Sequence, residues 1–164
     1  MEKKANNEDK IMWKVMIVDD EKLICKLVQA LVEWDKLGMQ MAAQAENAIQ
    51  ALDMLQQYRP DILITDIRMP GMDGLELIKN AKKICPELEI IIISGYAHFE
   101  YARNALSLGV GNYLLKPIKQ DELNETLRKI GERLDAKKSA QGMEMAERRV
   151  SESDVNRLRY ADRK

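Results

Sequence analysis

The stretch Ile62-Leu63-Ile64-Thr65-Asp66-Ile67-Arg68-Met69-Pro70-Gly71-Met72-Asp73-Gly74 decides the fold. An apolar run ends on a carboxylate, and a Pro/Gly-rich loop follows at once. That order describes a buried strand that delivers Asp66 to the rim of a sheet and then turns into a helix. A carboxylate at such a rim serves as a metal ligand, a nucleophile or a helix cap. The stretch by itself leaves all three open.

Working outward, strand and helix patterns alternate. Trp13 to Val18 is a short apolar run that ends on Asp19-Asp20-Glu21. Lys22 to Val32 places Leu23, Ile24, Leu27, Val28, Leu31 and Val32 at helical spacing, with one face expected to be buried. Trp34 to Gly38 reads as a connection broken at Gly38. Met39 to Ala45 is a weaker strand, interrupted by Gln40 and Gln44. Asn47 is a candidate N-cap for a helix over Ala48 to Tyr58, with Ile49, Leu52 and Leu55 facing inward. Beyond Gly74 a helix is expected from Leu75 to about Lys83, with Asp73 as its cap. Glu89 to Ser94 is the most apolar strand. Phe99 to Leu108 is a short helix stopped at Gly109. Asn112 to Leu115 is a fifth strand that ends at Lys116-Pro117. Asp121 is expected to cap a last helix burying Leu123, Leu127, Ile130 and Leu134.

Five strands separated by crossovers of this length imply parallel pairing. Residues 62–65 and 90–93 are almost wholly apolar, as expected when helices cover both faces of the sheet. The expectation is a three-layer α/β domain over residues 12–136, within the usual size range. Residues 1–11 read as a disordered lead. Residues 137–164 are rich in charge and poor in large apolar side chains, with Gly142 weakening helix continuity. They read as a charged helical linker or a coiled-coil stub.

Composition narrows the function classes. In 164 residues the apolar content is 46%, enough for a packed core, and the net charge is −1, which excludes a strongly basic nucleic-acid domain. No apolar run is long enough to span a membrane, and the polar N-terminus lacks a signal-peptide core. Cys25 and Cys85 have no metal-ligand spacing and read as reduced cytoplasmic thiols. His98, the one histidine, has no ligand partner and reads as an exposed loop residue.

In a parallel α/β sheet, ligands bind beyond the carboxyl ends of the strands. Those ends carry Asp19 and Asp20, then Asp66, then Ser94, then Lys116. Three carboxylates in one pocket repel one another unless a cation joins them. Hard oxygen donors without His or Cys suit Mg2+, with Mn2+ as the alternative. Lys116 and Ser94 then stand ready for an oxyanion, and Asp66 on the central strand is the candidate nucleophile for an acyl phosphate.

Four motifs in order now resemble the receiver domain of two-component response regulators: Val18-Asp19-Asp20-Glu21, Thr65 through Gly74, Ile93-Ser94-Gly95, and Asn112-Tyr113-Leu114-Leu115-Lys116-Pro117. The resemblance implies a flavodoxin-like (βα)5 doubly wound parallel five-stranded sheet of strand order 2-1-3-4-5, here with a C-terminal helical extension. It implies that Asp66 is the phosphoacceptor. It also implies Mg2+ held by Asp20, Asp66 and the backbone carbonyl of Arg68, with Asp19 acting through water. Ser94 matches the switch hydroxyl, Tyr113 the switch aromatic, and Lys116 the lysine that pairs with the phosphoryl group, before a typically cis Lys116–Pro117 bond. Arg68 and Tyr96 sit where side chains shield or admit the hydrolytic water. The implied partners are a sensor histidine kinase and, on phosphorylation, a second copy of the chain, with no membrane. Catalysis is then limited to the domain's own phosphoryl transfer and autodephosphorylation. A haloacid-dehalogenase-type phosphatase carries a second Asp two residues after its nucleophile, where this chain has Arg68.

Trp34-Asp35-Lys36-Leu37-Gly38-Met39, Ala45-Glu46-Asn47 and Ser94-Gly95-Tyr96 with Phe99-Glu100-Tyr101-Ala102 further resemble receivers fused to AraC-type helix-turn-helix domains. Transcription regulation is therefore expected of the full-length protein, with DNA contacted only through a C-terminal domain absent from this chain.

Overall fold

Five strands pair in parallel in the order β2-β1-β3-β4-β5: β1 Trp13–Val18, β2 Met39–Ala45, β3 Ile62–Thr65, β4 Glu89–Ser94 and β5 Asn112–Leu115. The computed structural model describes residues 11–95 and 99–161, and side chains over 11–95 and 103–146. The expectations for residues 1–10, Tyr96 and His98 lie outside the described residues, as does the end of the tail at 162–164. The chain divides into two compact units, Met1–Arg128 and Lys129–Lys164.

The doubly wound order follows from burial. Strands β3 and β4 lie inside the sheet, and the side chains of Ile62 to Thr65 and Ile90 to Ser94 are all buried. Each isoleucine so buried contributes about 2 kcal/mol of transfer free energy. Alternation along the strands sends Met16, Val18, Leu63, Ile90 and Ile92 to one face. There they join Ala51, Leu55, Leu77, Ile78, Ala81 and Ala105 in one apolar cluster. These last come from α3 (Ala48–Tyr58), α4 (Gly74–Ile84) and α5 (Phe99–Ser107). The intervening residues Val15, Ile17, Ile62, Ile64, Ile91 and Ile93 are equally buried on the opposite face. Strand β2 is an edge, which explains how Gln40 and Gln44 are tolerated in it. A bulge between Met41 and Ala43 interrupts its register with β1.

Local capping agrees with the sequence at two helices. Asn47 Oδ1 accepts the backbone N–H of Gln50 at 2.8 Å, and Asp73 Oδ1 accepts that of Glu76 at 2.8 Å. Helix α1 (Lys22–Leu31) ends differently. Its orphan Leu31 carbonyl accepts Nδ2 of Asn124 at 2.8 Å and Nε2 of Gln120 at 3.2 Å, both from the start of α6 (Gln120–Ala161). Asn124 Oδ1 also accepts the Glu33 N–H at 2.8 Å.

Several local expectations are corrected. Leu23, Leu27 and Ile49 are exposed, at 78%, 41% and 68%. Apolar residues cover more of α1 than the single stripe a helix can bury on a sheet, and the buried stripe is Cys25, Val28 and Val32. In α3 the small side chains of Ala48 and Ala51 take the inner positions with Leu55, which turns Ile49 outward. Trp34–Leu37 is a short helix, α2, and Gly38 ends it in the left-handed region at φ 66°. Asp121 lies inside the first turn of α6, so it favours the helix through the dipole and not as a cap. Gly142 does not interrupt α6, which runs unbroken to Ala161; one glycine costs a helix only about 1 kcal/mol. Burial of Leu123, Leu127, Ile130 and Leu134 is as expected.

Candidate functional site

Register brings the candidate residues to one edge. Val18 pairs with Thr65 and Ser94 with Leu115, so Asp19 and Asp66 follow paired positions on adjacent strands and Lys116 follows the last pair of β4 and β5. Backbone hydrogen bonds continue the ladder one step past the strands: Asp66 N–H donates to Val18 O at 3.1 Å, Asp19 N–H to Ala45 O at 3.2 Å, and Lys116 N–H to Ser94 O at 2.8 Å. The Lys116–Pro117 peptide is cis.

The carboxylate oxygens of Asp19, Asp20 and Asp66 lie within 4.8 Å of one another. Asp19 and Asp66 are buried, at 3% and 8% exposure, while Asp20 is exposed. Lys116 Nζ bridges the buried pair, 3.3 Å from Asp19 Oδ2 and 3.2 Å from Asp66 Oδ2. The remaining oxygens are held by the backbone. Asp19 Oδ1 accepts the Glu21 N–H at 2.9 Å, and Asp66 Oδ1 accepts the Ile67 N–H at 2.7 Å. Ser94 is 2% exposed at the end of β4. Tyr113, opposite Ile92 in register, is half-buried and packed against the apolar cluster. Arg68 is exposed in the loop after Asp66.

Electrostatics express the crowding. Burial raises Asp19 from 3.8 to about 6, and the neighbouring Asp66 charge adds to the rise, against the opposing effects of the Glu21 N–H and Lys116. Burial alone would lower Lys116, but the charges of Asp19 and Asp66 outweigh it and hold the ammonium above its ordinary value. Lys116 thus offsets two of the three clustered acids. A cluster of three carboxylates that could hold a metal, built from hard oxygen donors alone, fits a divalent cation such as Mg2+.

A linkage prediction follows from the raised Asp19. A carboxylate whose folded pKa exceeds its unfolded value opposes folding when ionised. The penalty is complete above about 6 and vanishes below about 3.8. In chelator, Asp19→Asn is expected to stabilise the domain by on the order of 2 kcal/mol near neutral pH, a gain that fades toward about pH 4. Urea unfolding across that range checks it. Destabilisation at neutral pH would mean that the Lys116 pairing outweighs desolvation.

Three further residues support the site without having been singled out by the sequence. Thr65 Oγ1 donates to the Asp66 carbonyl at 2.9 Å. A hydroxyl closing an otherwise aliphatic buried strand was the available signal. Gly74 lies against the same carbonyl, where a Cβ would stand 2.1 Å from the oxygen. Cys25 is buried with its thiol 3.8 Å from the Asp19 carbonyl, and burial pushes that thiol up to about 11.

The fold and this edge agree with comparisons to known proteins. Residues 15–128 match the model of the response regulator receiver domain. The chain is 40% identical over 119 residues to the transcriptional regulatory protein YesN of Bacillus subtilis, covering 73% of this chain and 32% of that one. It is 30% identical over 151 residues to the transcriptional regulatory protein HptR of Staphylococcus aureus, covering 92% of this chain and 59% of that one. It therefore spans roughly a third to three fifths of these relatives. Among solved structures, the receiver domain of AraT, a response regulator from Geobacillus stearothermophilus, is similar with a TM-score of 0.74 at 38% identity, over 77% of this chain and 98% of that one. The two component transcriptional regulator AraC from Clostridium phytofermentans is similar with a TM-score of 0.67 at 35% identity, over 72% and 92%. With its strand order, its rim of acids and the lysine across them, the chain belongs to the response regulator receiver domain family.

Proposed function

We propose that this domain is a phosphorylation-controlled switch in which Asp66 accepts a phosphoryl group. The single observation that carries this is the buried Asp66 carboxylate, held by the Ile67 N–H on one oxygen and by Lys116 on the other, beside Asp19 and Asp20. The donor is a phosphohistidine of a sensor kinase, or more slowly a small acyl phosphate. An Asp66 oxygen forms the new P–O bond as the P–N bond breaks, and the imidazole leaves with a proton. Lys116 is assigned to the developing phosphoryl charge and the Ser94 hydroxyl to a phosphoryl oxygen. Asp20, Asp66 and the Arg68 carbonyl are assigned as Mg2+ ligands, with Asp19 acting through water. The bound cation, Mg2+ or Mn2+, supplies charge neutralisation between the carboxylate and the incoming phosphate.

Transmission is assigned to Ser94 and Tyr113, with the face of α5, β5 and the start of α6 shifting between two states and favouring association with a second copy. The names of YesN and HptR support transcription as the output, with DNA contacted by a segment other than these 164 residues. Free Cys25 and Cys85 suit a cytoplasmic setting. Among the described residues, no helix is long and apolar enough to cross a membrane.

The test is incorporation of label from radioactive acetyl phosphate, with and without Mg2+. Stoichiometric, chelator-sensitive, hydroxylamine-labile label is expected. Magnesium-independent label, or none from either acetyl phosphate or a panel of phosphorylated kinases, removes the proposal.

A further inference from the structure

The 66–67 peptide is held at both ends. Its carbonyl accepts the Thr65 hydroxyl at 2.9 Å, and its N–H donates to Oδ1 of Asp66 at 2.7 Å. One peptide plane thus links a buried hydroxyl to the carboxylate that follows it in sequence. Hydrogen bonds in such a chain polarise one another: a donor on the carbonyl oxygen makes the N–H of the same peptide a better donor. The arrangement also distinguishes the two carboxylate oxygens, since Oδ1 is held by the amide while Oδ2 faces Lys116 at 3.2 Å. Gly74 closes the far side of the carbonyl, because its Cα sits where no Cβ fits, and the Gly74 N–H donates to Ile67 O at 2.7 Å.

Thr65 is fully buried in a strand whose other members are Ile62, Leu63 and Ile64. Valine would fill that volume with no polar atom to satisfy, so packing alone gives no reason for a hydroxyl there. We infer that Thr65 is a positioning residue for Asp66: through the 66–67 peptide its hydroxyl fixes the rotation of the carboxylate and so the rate at which Asp66 accepts a phosphoryl group. Thr65 acts through another group and touches no reacting atom. The rate part of this inference rests on the phosphoacceptor role of Asp66, while the orientation part does not.

The experiment compares the full chain with Thr65→Val and Thr65→Ser. The amide proton of Ile67, observed by 15N–1H correlation without phosphodonor, reports its hydrogen bond to the carboxylate. The labelling rate with acetyl phosphate at saturating Mg2+ reports the reaction. Thr65→Val is expected to move the Ile67 proton upfield and to slow labelling about tenfold, the scale of one hydrogen bond. Thr65→Ser is expected to restore both, because it keeps the hydroxyl and drops the methyl. Thermal unfolding of all three proteins shows whether the fold is intact. Should Thr65→Val unfold, Thr65→Ser and Thr65→Cys, which grade the donor from hydroxyl to weak thiol, take over the comparison. An Ile67 proton unchanged in the valine variant overturns the inference, and so does a serine variant as slow as the valine one. A wild type that takes no label from acetyl phosphate or from a panel of phosphorylated kinases sinks the phosphoacceptor proposal, and the Ile67 resonance then decides the positioning claim by itself.

Discussion

Asp66→Asn is expected to abolish phosphoryl incorporation while leaving the domain folded. Asparagine is isosteric, and its Oδ1 still accepts the Ile67 N–H that now holds Asp66 Oδ1 at 2.7 Å. The substitution removes one of the charges that raise Asp19, and it leaves Lys116 paired with Asp19 at 3.3 Å. What is lost is the proposed nucleophile: an amide nitrogen or oxygen does not form the acyl phosphate that a carboxylate does. Label should fall at least about a thousandfold, to the level of non-specific modification, because no other group at this rim replaces an activated nucleophile. Mg2+ affinity should weaken as well, since one of three carboxylates near the cation loses its charge. Filter-binding of labelled protein and a Mg2+ titration by isothermal calorimetry read the two effects. Retention of label would move the acceptor to Asp19 or Asp20, which mass mapping of the labelled peptide distinguishes.

Gly74→Ala is expected to cost the most stability of any substitution to alanine in the loop from Arg68 to Gly74. The added carbon would stand 2.1 Å from the Asp66 carbonyl oxygen, 2.8 Å from the Ile67 Cα and 3.0 Å from the Asp66 carbonyl carbon. All three are backbone atoms, so no side-chain rotation relieves the contact. The N-terminus of α4 must retreat from β3, which breaks the 2.7 Å bond from the Gly74 N–H to Ile67 O and loosens Leu77 and Ile78 in the apolar cluster. A loss of about 3 kcal/mol or more is expected, at the upper end for overpacking, with Tm falling by about 10 °C. Because the displaced atoms belong to Asp66 itself, labelling should also slow in whatever fraction remains folded. Calorimetry with the labelling rate measured well below Tm separates the two effects. A variant as stable as the wild type would show that the loop has room to shift.

The architecture was legible because it rests on patterns that one-dimensional sequence carries. Strands apolar at nearly every position, such as residues 90–93, announce a sheet covered on both faces, and the recurrence of helical spacing between them leaves parallel crossovers as the consistent connection. Asn47 and Asp73 were legible as caps because capping depends on a side chain three residues from its partner. Leu23, Leu27 and Ile49 were misjudged for the opposite reason. Their helices carry apolar residues on more than one face, and the choice of buried face depends on how the helix lies on the sheet. The α1 terminus shows the same limit, since its partners Gln120 and Asn124 are separated from Leu31 by 89 and 93 positions.

Four strand ends carry Asp19, Asp20, Asp66, Ser94 and Lys116, and the residues alone announce this, because each follows an apolar run or closes it. Packing set the rest: one lysine bridges two of the carboxylates at 3.3 and 3.2 Å, Asp19 rather than Asp20 is buried, and burial raises Asp19 to about 6. It also decided that Thr65 and Gly74 would meet at the Asp66 carbonyl. The physical reason is that periodicity reports which side of an element is apolar. Distances, desolvation and contacts between groups depend on strand register and helix placement, which are settled by packing across the whole sheet.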